Sequence, residues 1–269
     1  MIHSKRLFGC ALLMGLSIQC GWAVAAADPE SEWNSVLRNR YFGQQEIVES
    51  DKVIELTAPY RAEDPALVPI SVISKTEQSS ARYIERIVLL VDKNPEPFVG
   101  DFQFSPESGK ADLAMRVRIN TYSNVRAIAR LNTGELHMHK VFVKATGGCS
   151  APVGADLEEA MKRIGRIKFR VDRDLSIDRP ALAQLLISHP NLTGMQMDQV
   201  TRRIKPAHFI ETMKVTFNDK PIFSAKTDIA ISADPNFRFY FMPQRNGILK
   251  AEVTDNKGMN WVSTYEVSP

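Results

Sequence analysis

Cysteine is scarce in this chain, and the positions of the cysteines make it scarcer still. The 269 residues include 3 cysteines, and two of them, Cys10 and Cys20, lie in an apolar N-terminal stretch. If that stretch is removed, Cys149 is alone and cannot form an internal disulfide. A single thiol in an exported protein suggests a reactive group or an intermolecular partner. An inert core cysteine is the alternative, but the glycines before Cys149 and Ser150-Ala151-Pro152 after it are typical of an exposed loop.

The sequence also lacks the motifs of most enzymes. It has no glycine-rich phosphate loop, no Cys–His metal cluster and no nucleophilic triad. Its 34 basic and 31 acidic residues nearly balance, so nothing favours nucleic acid or an anionic membrane surface as a partner. We therefore expect a protein that is not an enzyme and has no cofactor of its own.

The N-terminus has the pattern of an export signal. Lys5 and Arg6 precede an apolar run from Leu7 to about Val24, and the small residues Ala25-Ala26-Ala27 follow. This order predicts a cleaved Sec-type signal peptide over residues 1–27 and a periplasmic mature protein without a membrane segment. An uncleaved anchor is the alternative, because the apolar run is nearly long enough to span a bilayer.

The rest of the chain favours strands after one short N-terminal helix, in which Trp33, Leu37 and Tyr41 recur at helical spacing. Strand patterns follow up to Cys149, then a helical turn or two, then a second strand series from Ile167. We predict an all-β protein with two β-sandwich domains in tandem. The predicted boundaries are 28–148 for the first domain, 149–163 for a cysteine-bearing linker and 164–269 for the second domain.

Two sets of residues resemble a known pair of proteins. Leu90-Val91-Asp92-Lys93-Asn94-Pro95 and Val143-Lys144-Ala145-Thr146-Gly147-Gly148-Cys149 resemble SoxY, the cysteine-bearing half of a sulfur-oxidation carrier. Leu186-Ile187-Ser188-His189-Pro190, Pro206-Ala207-His208-Phe209-Ile210 and Asp255-Asn256-Lys257-Gly258 resemble its partner SoxZ. The whole is similar to fused SoxYZ-like carriers associated with quinoprotein dehydrogenases.

The resemblance implies two immunoglobulin-like domains in contact and a thiol that carries sulfur intermediates between periplasmic enzymes, as in thiosulfate oxidation. It assigns the covalent attachment to Cys149 and a supporting flexible arm to Gly147 and Gly148. In separate SoxY proteins this motif ends the chain, whereas here Ser150 continues it. The arm is therefore expected to be tethered at both ends.

The histidines give weaker candidates. His137 and His139 point to one face of a predicted strand, a spacing compatible with a metal, but no third ligand is evident and we interpret them as ordinary strand residues. His189 and His208 lie beside prolines, and we interpret both as structural hydrogen-bonding groups.

Three functions follow from these patterns. The first is a covalent carrier with a sulfur adduct on Cys149, whose partners are sulfur-oxidation enzymes or a quinoprotein dehydrogenase system. The second is a non-catalytic adaptor or assembly module for an exported quinoprotein dehydrogenase. The third is a metal-binding redox protein that uses His137 and His139.

Overall fold

The computed structural model describes residues 28–152, 157–199 and 201–269. The signal peptide predicted over residues 1–27 lies outside the described residues, as does part of the linker predicted over 149–163. No helix within the described ranges is long and apolar enough to cross a membrane.

The first half begins with helical structure, as the spacing of Trp33 and Leu37 predicts. A π-helical turn over Trp33–Leu37 continues into α1 (Arg38–Phe42), and Trp33 and Leu37 are both buried. The strands that follow are β1 (Ile47–Glu49), β2 (Ile54–Thr57), β3 (Val68–Ser74), β4 (Ile84–Val91), β5 (Phe98–Phe104), β6 (Leu113–Val117), β7 (Ser123–Leu131) and β8 (Leu136–Val143), with a 3₁₀ turn at Pro106–Ser108.

The second half begins with α2 (Leu157–Lys162), at the position where a helical turn was predicted. Seven strands follow it: β9 (Ile167–Val171), β10 (Ala181–Ile187), β11 (Ile210–Phe217), β12 (Lys220–Thr227), β13 (Asn236–Phe241), β14 (Gly247–Asp255) and β15 (Asn260–Val267). The protein is therefore all-β apart from short helices, with immunoglobulin-like β-sandwich halves.

Both sheets run from the first half into the second. The larger sheet has the order β1-β8-β7-β4-β5-β12-β11-β14-β15, and the smaller one has β2-β3-β6-β13-β10-β9. In the larger sheet β5 pairs with β12 in antiparallel register, from Gly100 opposite Thr227 to Phe104 opposite Phe223. In the smaller sheet Ala114 of β6 pairs with Arg238 of β13. The halves thus join edge to edge in both layers, which removes four exposed strand edges.

A single hydrophobic core fills the space between the sheets and crosses this junction. Phe223 stacks on Phe102 and Phe239, with ring centroids 6.1 Å and 5.2 Å apart, so aromatic residues of both halves interleave. The alternating Phe237, Phe239 and Phe241 of β13 are fully buried in this core. Such a junction fixes how the segment between the halves, including Cys149, lies against each of them.

Candidate functional site

Cys149 lies at the end of the first half and is the free cysteine among the described residues. Its exposed fraction is 1%, so the prediction that loop composition keeps this thiol accessible is wrong. A physical reason lies in the second half, whose 189–196 loop lies against the segment and bonds to the Cys149 carbonyl through the Thr193 hydroxyl. The sequence of residues 147–152 alone cannot predict this contact with the second half.

Backbone hydrogen bonds hold the cysteine segment against the first half. Gly147 donates its N–H to the carbonyl of Asn120 at 2.7 Å, and Gly148 donates to the carbonyl of Ile119 at 3.1 Å. The hydroxyl of Thr193, in the second half, donates to the carbonyl of Cys149 at 2.6 Å. The segment is thus bonded to both halves at once.

The two glycines serve different purposes in this arrangement. Gly147 has φ +81, which residues with a Cβ rarely adopt, but a side chain there would meet open space. At Gly148 a Cβ would overlap the carbonyl oxygens of Pro65 and Ile119. Gly148 therefore allows the backbone to lie close to Pro65 and Ile119. This differs from the flexible arm that is expected of Gly147 and Gly148.

Arg118 is the charged side chain of this site. It follows the end of β6 and is 2% exposed. Nη1 donates to the carbonyl of Gly148 at 3.2 Å, and Nη2 donates to the carbonyl of Asn191 at 3.4 Å. The guanidinium therefore bridges the cysteine segment and the loop of the second half.

Burial determines the reactivity of Cys149 in this closed position. It raises the pKa of the thiol to about 11, against a smaller lowering by the charge of Arg118. With such a pKa only about one molecule in ten thousand carries the thiolate at pH 7. The closed thiol is therefore neutral and a poor nucleophile.

His189, the first residue of the same loop, forms a buried cluster with His208 and Asp255. Oδ2 of Asp255 lies 2.6 Å from Nε2 of His208 and 3.5 Å from Nε2 of His189, while its Oδ1 accepts from the Lys257 and Met259 N–H groups. Burial, followed by the charge of His208, lowers the pKa of His189 to about 4. His189 is thus neutral at pH 7.

The tautomer of His189 decides whether this cluster suits a metal. The Asn191 N–H donates to Nδ1 of His189 at 3.1 Å, so in the neutral ring the proton is on Nε2. A protonated Nε2 offers no lone pair, although the three ligand atoms lie within 4.8 Å of one another. The geometry agrees with the interpretation of His189 and His208 as structural hydrogen-bonding groups.

His137 and His139 lie on β8, as predicted, but they do not join a larger group of ligands among the described residues. Nδ1 of His139 accepts the N–H of Leu56 at 3.0 Å, which occupies one of its ring nitrogens. Nε2 of His137 lies 3.5 Å from Oε2 of Glu135. These contacts fit the interpretation of ordinary strand residues.

The sequence does not single out Arg118, Thr193 or Asn191, which form the hydrogen bonds around the cysteine segment. Arg118 lies two residues after Arg116 and continues the alternation of β6, so it resembled a solvent-facing position. The signal that sets it apart is its burial, which depends on the second half of the chain.

A tandem β-sandwich with one buried thiol between its halves is the class of protein that this fold and site define. Residues 38–149 match the family described as sulfur oxidation protein SoxY, and residues 170–266 match sulphur oxidation protein SoxZ. The chain is therefore a fused SoxY–SoxZ-like protein. The SoxY match ends at Cys149 itself.

Among solved structures, the chain is similar to the sulfur carrier protein SoxY from Chlorobium limicola f thiosulfatophilum, at 24% identity over 44% of this chain and 94% of that one, with a TM-score of 0.36. It is also similar to superoxide reductase (neelaredoxin) from Ignicoccus hospitalis, at 15% identity over 43% of this chain and 87% of that one, with a TM-score of 0.30. A third similar structure is a glycosyl hydrolase family 2 member from Bacteroides cellulosilyticus DSM 14838, at 12% identity over 81% of this chain and 29% of that one, with a TM-score of 0.25. No curated protein matches the chain.

Proposed function

We propose that this protein is a covalent carrier that holds a sulfur-containing group on Cys149 and presents it to sulfur-oxidation enzymes. The observation that carries the proposal is the SoxY match, which ends at Cys149, followed by the SoxZ match in the same chain. Cys149 is also the residue at which the first half, the second half and a buried arginine meet. The chain itself needs no catalytic group for this role, because the partner enzymes perform the chemistry.

The setting of this role is part of the same proposal. The signal pattern of residues 1–27 supports export to the periplasm, where soluble partner enzymes would meet the carrier. The resemblance to carriers associated with quinoprotein dehydrogenases supports a partner from such a system.

The burial of Cys149 gives the carrier two states. The structure shows the closed state, in which the thiol is covered and neutral. Exchange with a sulfane or disulfide group requires an exposed thiolate, so loading and unloading occur from an open state. Opening must break the Thr193 bond to Cys149 and the two glycine N–H bonds, which together cost a few kcal/mol.

Intact-mass analysis tests the proposal directly. Protein isolated from the exported fraction, before and after incubation with thiosulfate and the rest of that fraction as the source of the two-electron oxidant that S–S bond formation needs, should show added sulfur-containing mass that a reductant removes. The matched Cys149→Ser variant should show no such addition. A wild-type chain that stays unmodified under all of these conditions would contradict the carrier role.

An adaptor for an exported quinoprotein dehydrogenase is the second candidate, and the burial of Cys149 favours it. On this view the thiol is a core residue and the sandwich is a docking body. Cys149→Ser separates the two roles. An adaptor variant keeps both its partner and the partner's activity, whereas a carrier variant keeps the fold and loses the activity.

A further inference from the structure

Arg118 carries a buried charge that the described residues leave without an ion pair. Its two Nη groups bond to carbonyl oxygens, and its Nε is buried without a hydrogen-bond partner. None of the ion pairs among the described residues includes it. A buried charge without a counter-ion is costly, and native proteins retain one where a ligand or a function compensates it.

Two groups act electrostatically on this guanidinium. Burial lowers the pKa of Arg118, and the charges of Cys149 and Asp64 raise it. Asp64 is exposed, and its Oδ1 already accepts the Ala66 N–H. The sulfur at position 149 is the buried one of the two, and as a thiol it has no charge. The closed site is therefore short of one negative charge.

We propose that Arg118 is the anion-binding residue of the Cys149 site, and that it holds the negatively charged end of the sulfur group attached there. A cargo with a negatively charged end fits this site, and a neutral disulfide does not fit the charge. This assignment rests on the proposed carrier function and deepens it.

The hydrogen bonds of Arg118 suit an arginine and not a lysine. One Nη is fixed by Gly148 of the first half and the other by Asn191 of the second, which leaves the Nε–H available. A planar guanidinium can keep these bonds and still donate to an anion, whereas an ammonium group acts as a point charge. Arg118 can make both bonds only when the halves are closed, because its two acceptor carbonyls belong to different halves.

The test compares a charged and a neutral adduct on the same thiol. The full chain carries Cys10→Ser and Cys20→Ser so that Cys149 reacts alone, and it is labelled in urea and then refolded. With tetrathionate, the Cys149 thiolate attacks a central sulfur, the central S–S bond breaks, and thiosulfate leaves with the electron pair, which gives Cys149–S–S–SO₃⁻. With methyl methanethiosulfonate, methanesulfinate leaves in the same way, which gives the neutral Cys149–S–S–CH₃.

Urea unfolding measures the ratio of the unfolding constants of the charged and neutral adducts, and this ratio decides the test. In the Arg118 chain we expect the unfolding constants of the charged and neutral adducts to agree within about tenfold. In Arg118→Met the charged adduct should unfold with a constant about 100-fold larger than the neutral one, because its charge is then uncompensated. Arg116→Met, two residues earlier on β6, should behave as the Arg118 chain does.

Amide hydrogen exchange at Gly147 and Gly148 adds a second readout. The charged adduct should keep these amides protected with Arg118 and lose the protection in Arg118→Met. An equal ratio of unfolding constants with and without Arg118 overturns the proposal. If Arg118→Met does not fold, a charged adduct in the Arg118 chain far less stable than the neutral one overturns it equally. The adducts are made chemically, so failure of the carrier function, seen as an unmodified chain in the intact-mass experiment, is a separate result.

Discussion

Two buried arginines of the first half, Arg126 and Arg118, show opposite treatments of the same charge. Arg126 is fully buried, and its Nε lies 2.9 Å from both carboxylate oxygens of Asp92. Its Nη2 donates to Glu30 at 2.8 Å, and its guanidinium lies 4.5 Å from the ring centre of Trp33. Arg118 is equally buried, yet it bonds to two neutral carbonyls.

The difference separates a structural centre from a site. The Arg126 centre ties the N-terminal segment to β7 and to Asp92 just after β4, and every charge in it has a partner. The Arg118 centre lies where the two halves meet the cysteine segment, and it has a free donor. A buried charge that has its counter-ion and hydrogen bonds supports the fold, whereas a buried charge that lacks a counter-ion indicates a ligand.

The largest effect expected from this comparison comes from removing each arginine in turn. Arg126→Met leaves the carboxylate of Asp92 buried without its counter-ion, and we expect a loss of about 4 kcal/mol in the free energy of unfolding. Arg118→Met removes two hydrogen bonds but also an uncompensated charge, so we expect a loss of about 1 kcal/mol or less. Urea unfolding of both variants measures the difference. Equal losses of stability would mean that the charge of Arg118 is as fully compensated as that of Arg126.

A smaller effect tests how tightly the cysteine segment is packed. Gly148→Ala places a Cβ against the backbone oxygens of Pro65 and Ile119, which cannot move without shifting the strand ends. We expect a loss of about 3 kcal/mol in the free energy of unfolding, in the range of overpacked core positions.

Gly147→Ala is the matched control for that variant. It meets open space and bears only the strain of its positive φ, about 1 kcal/mol. If the two alanine variants unfolded at the same urea concentration, Gly148 would not be held in the closed position.

Much of the fold could be predicted from local patterns, because most strands have a clear run or alternation of apolar residues. The hairpin of β7 and β8 has its turn where Asn132-Thr133-Gly134-Glu135 predicts it, with Gly134 at φ +95. The start of β12 is harder to predict, because Lys220 and Pro221 have the composition of a turn and yet begin the strand. The Pro221 nitrogen cannot donate to the ladder, and the register of β11 and β12 shifts beside it, between Val215 and Thr216.

The site was predictable only in part, and the reason is its dependence on the far half of the chain. Cys149 could be singled out because it is a solitary thiol after two glycines. Its burial could not, because Thr193 and Asn191 come from a loop more than forty residues further along. The joining of both sheets across the halves was equally invisible, since strand pairing partners are not encoded in the spacing of one strand.

The proposed carrier function requires Cys149 to be stored closed and exposed by opening, and its rate of alkylation measures this directly. In the folded chain with Cys10→Ser and Cys20→Ser, iodoacetamide should react with Cys149 at least about a thousandfold more slowly than in urea. The rate should rise with pH beyond the ordinary thiol range, because burial raises the pKa to about 11. Thr193→Val, which removes the 2.6 Å bond to Cys149, should speed the reaction about tenfold. A folded chain that reacts as fast as the unfolded one, with or without Thr193, would contradict the account.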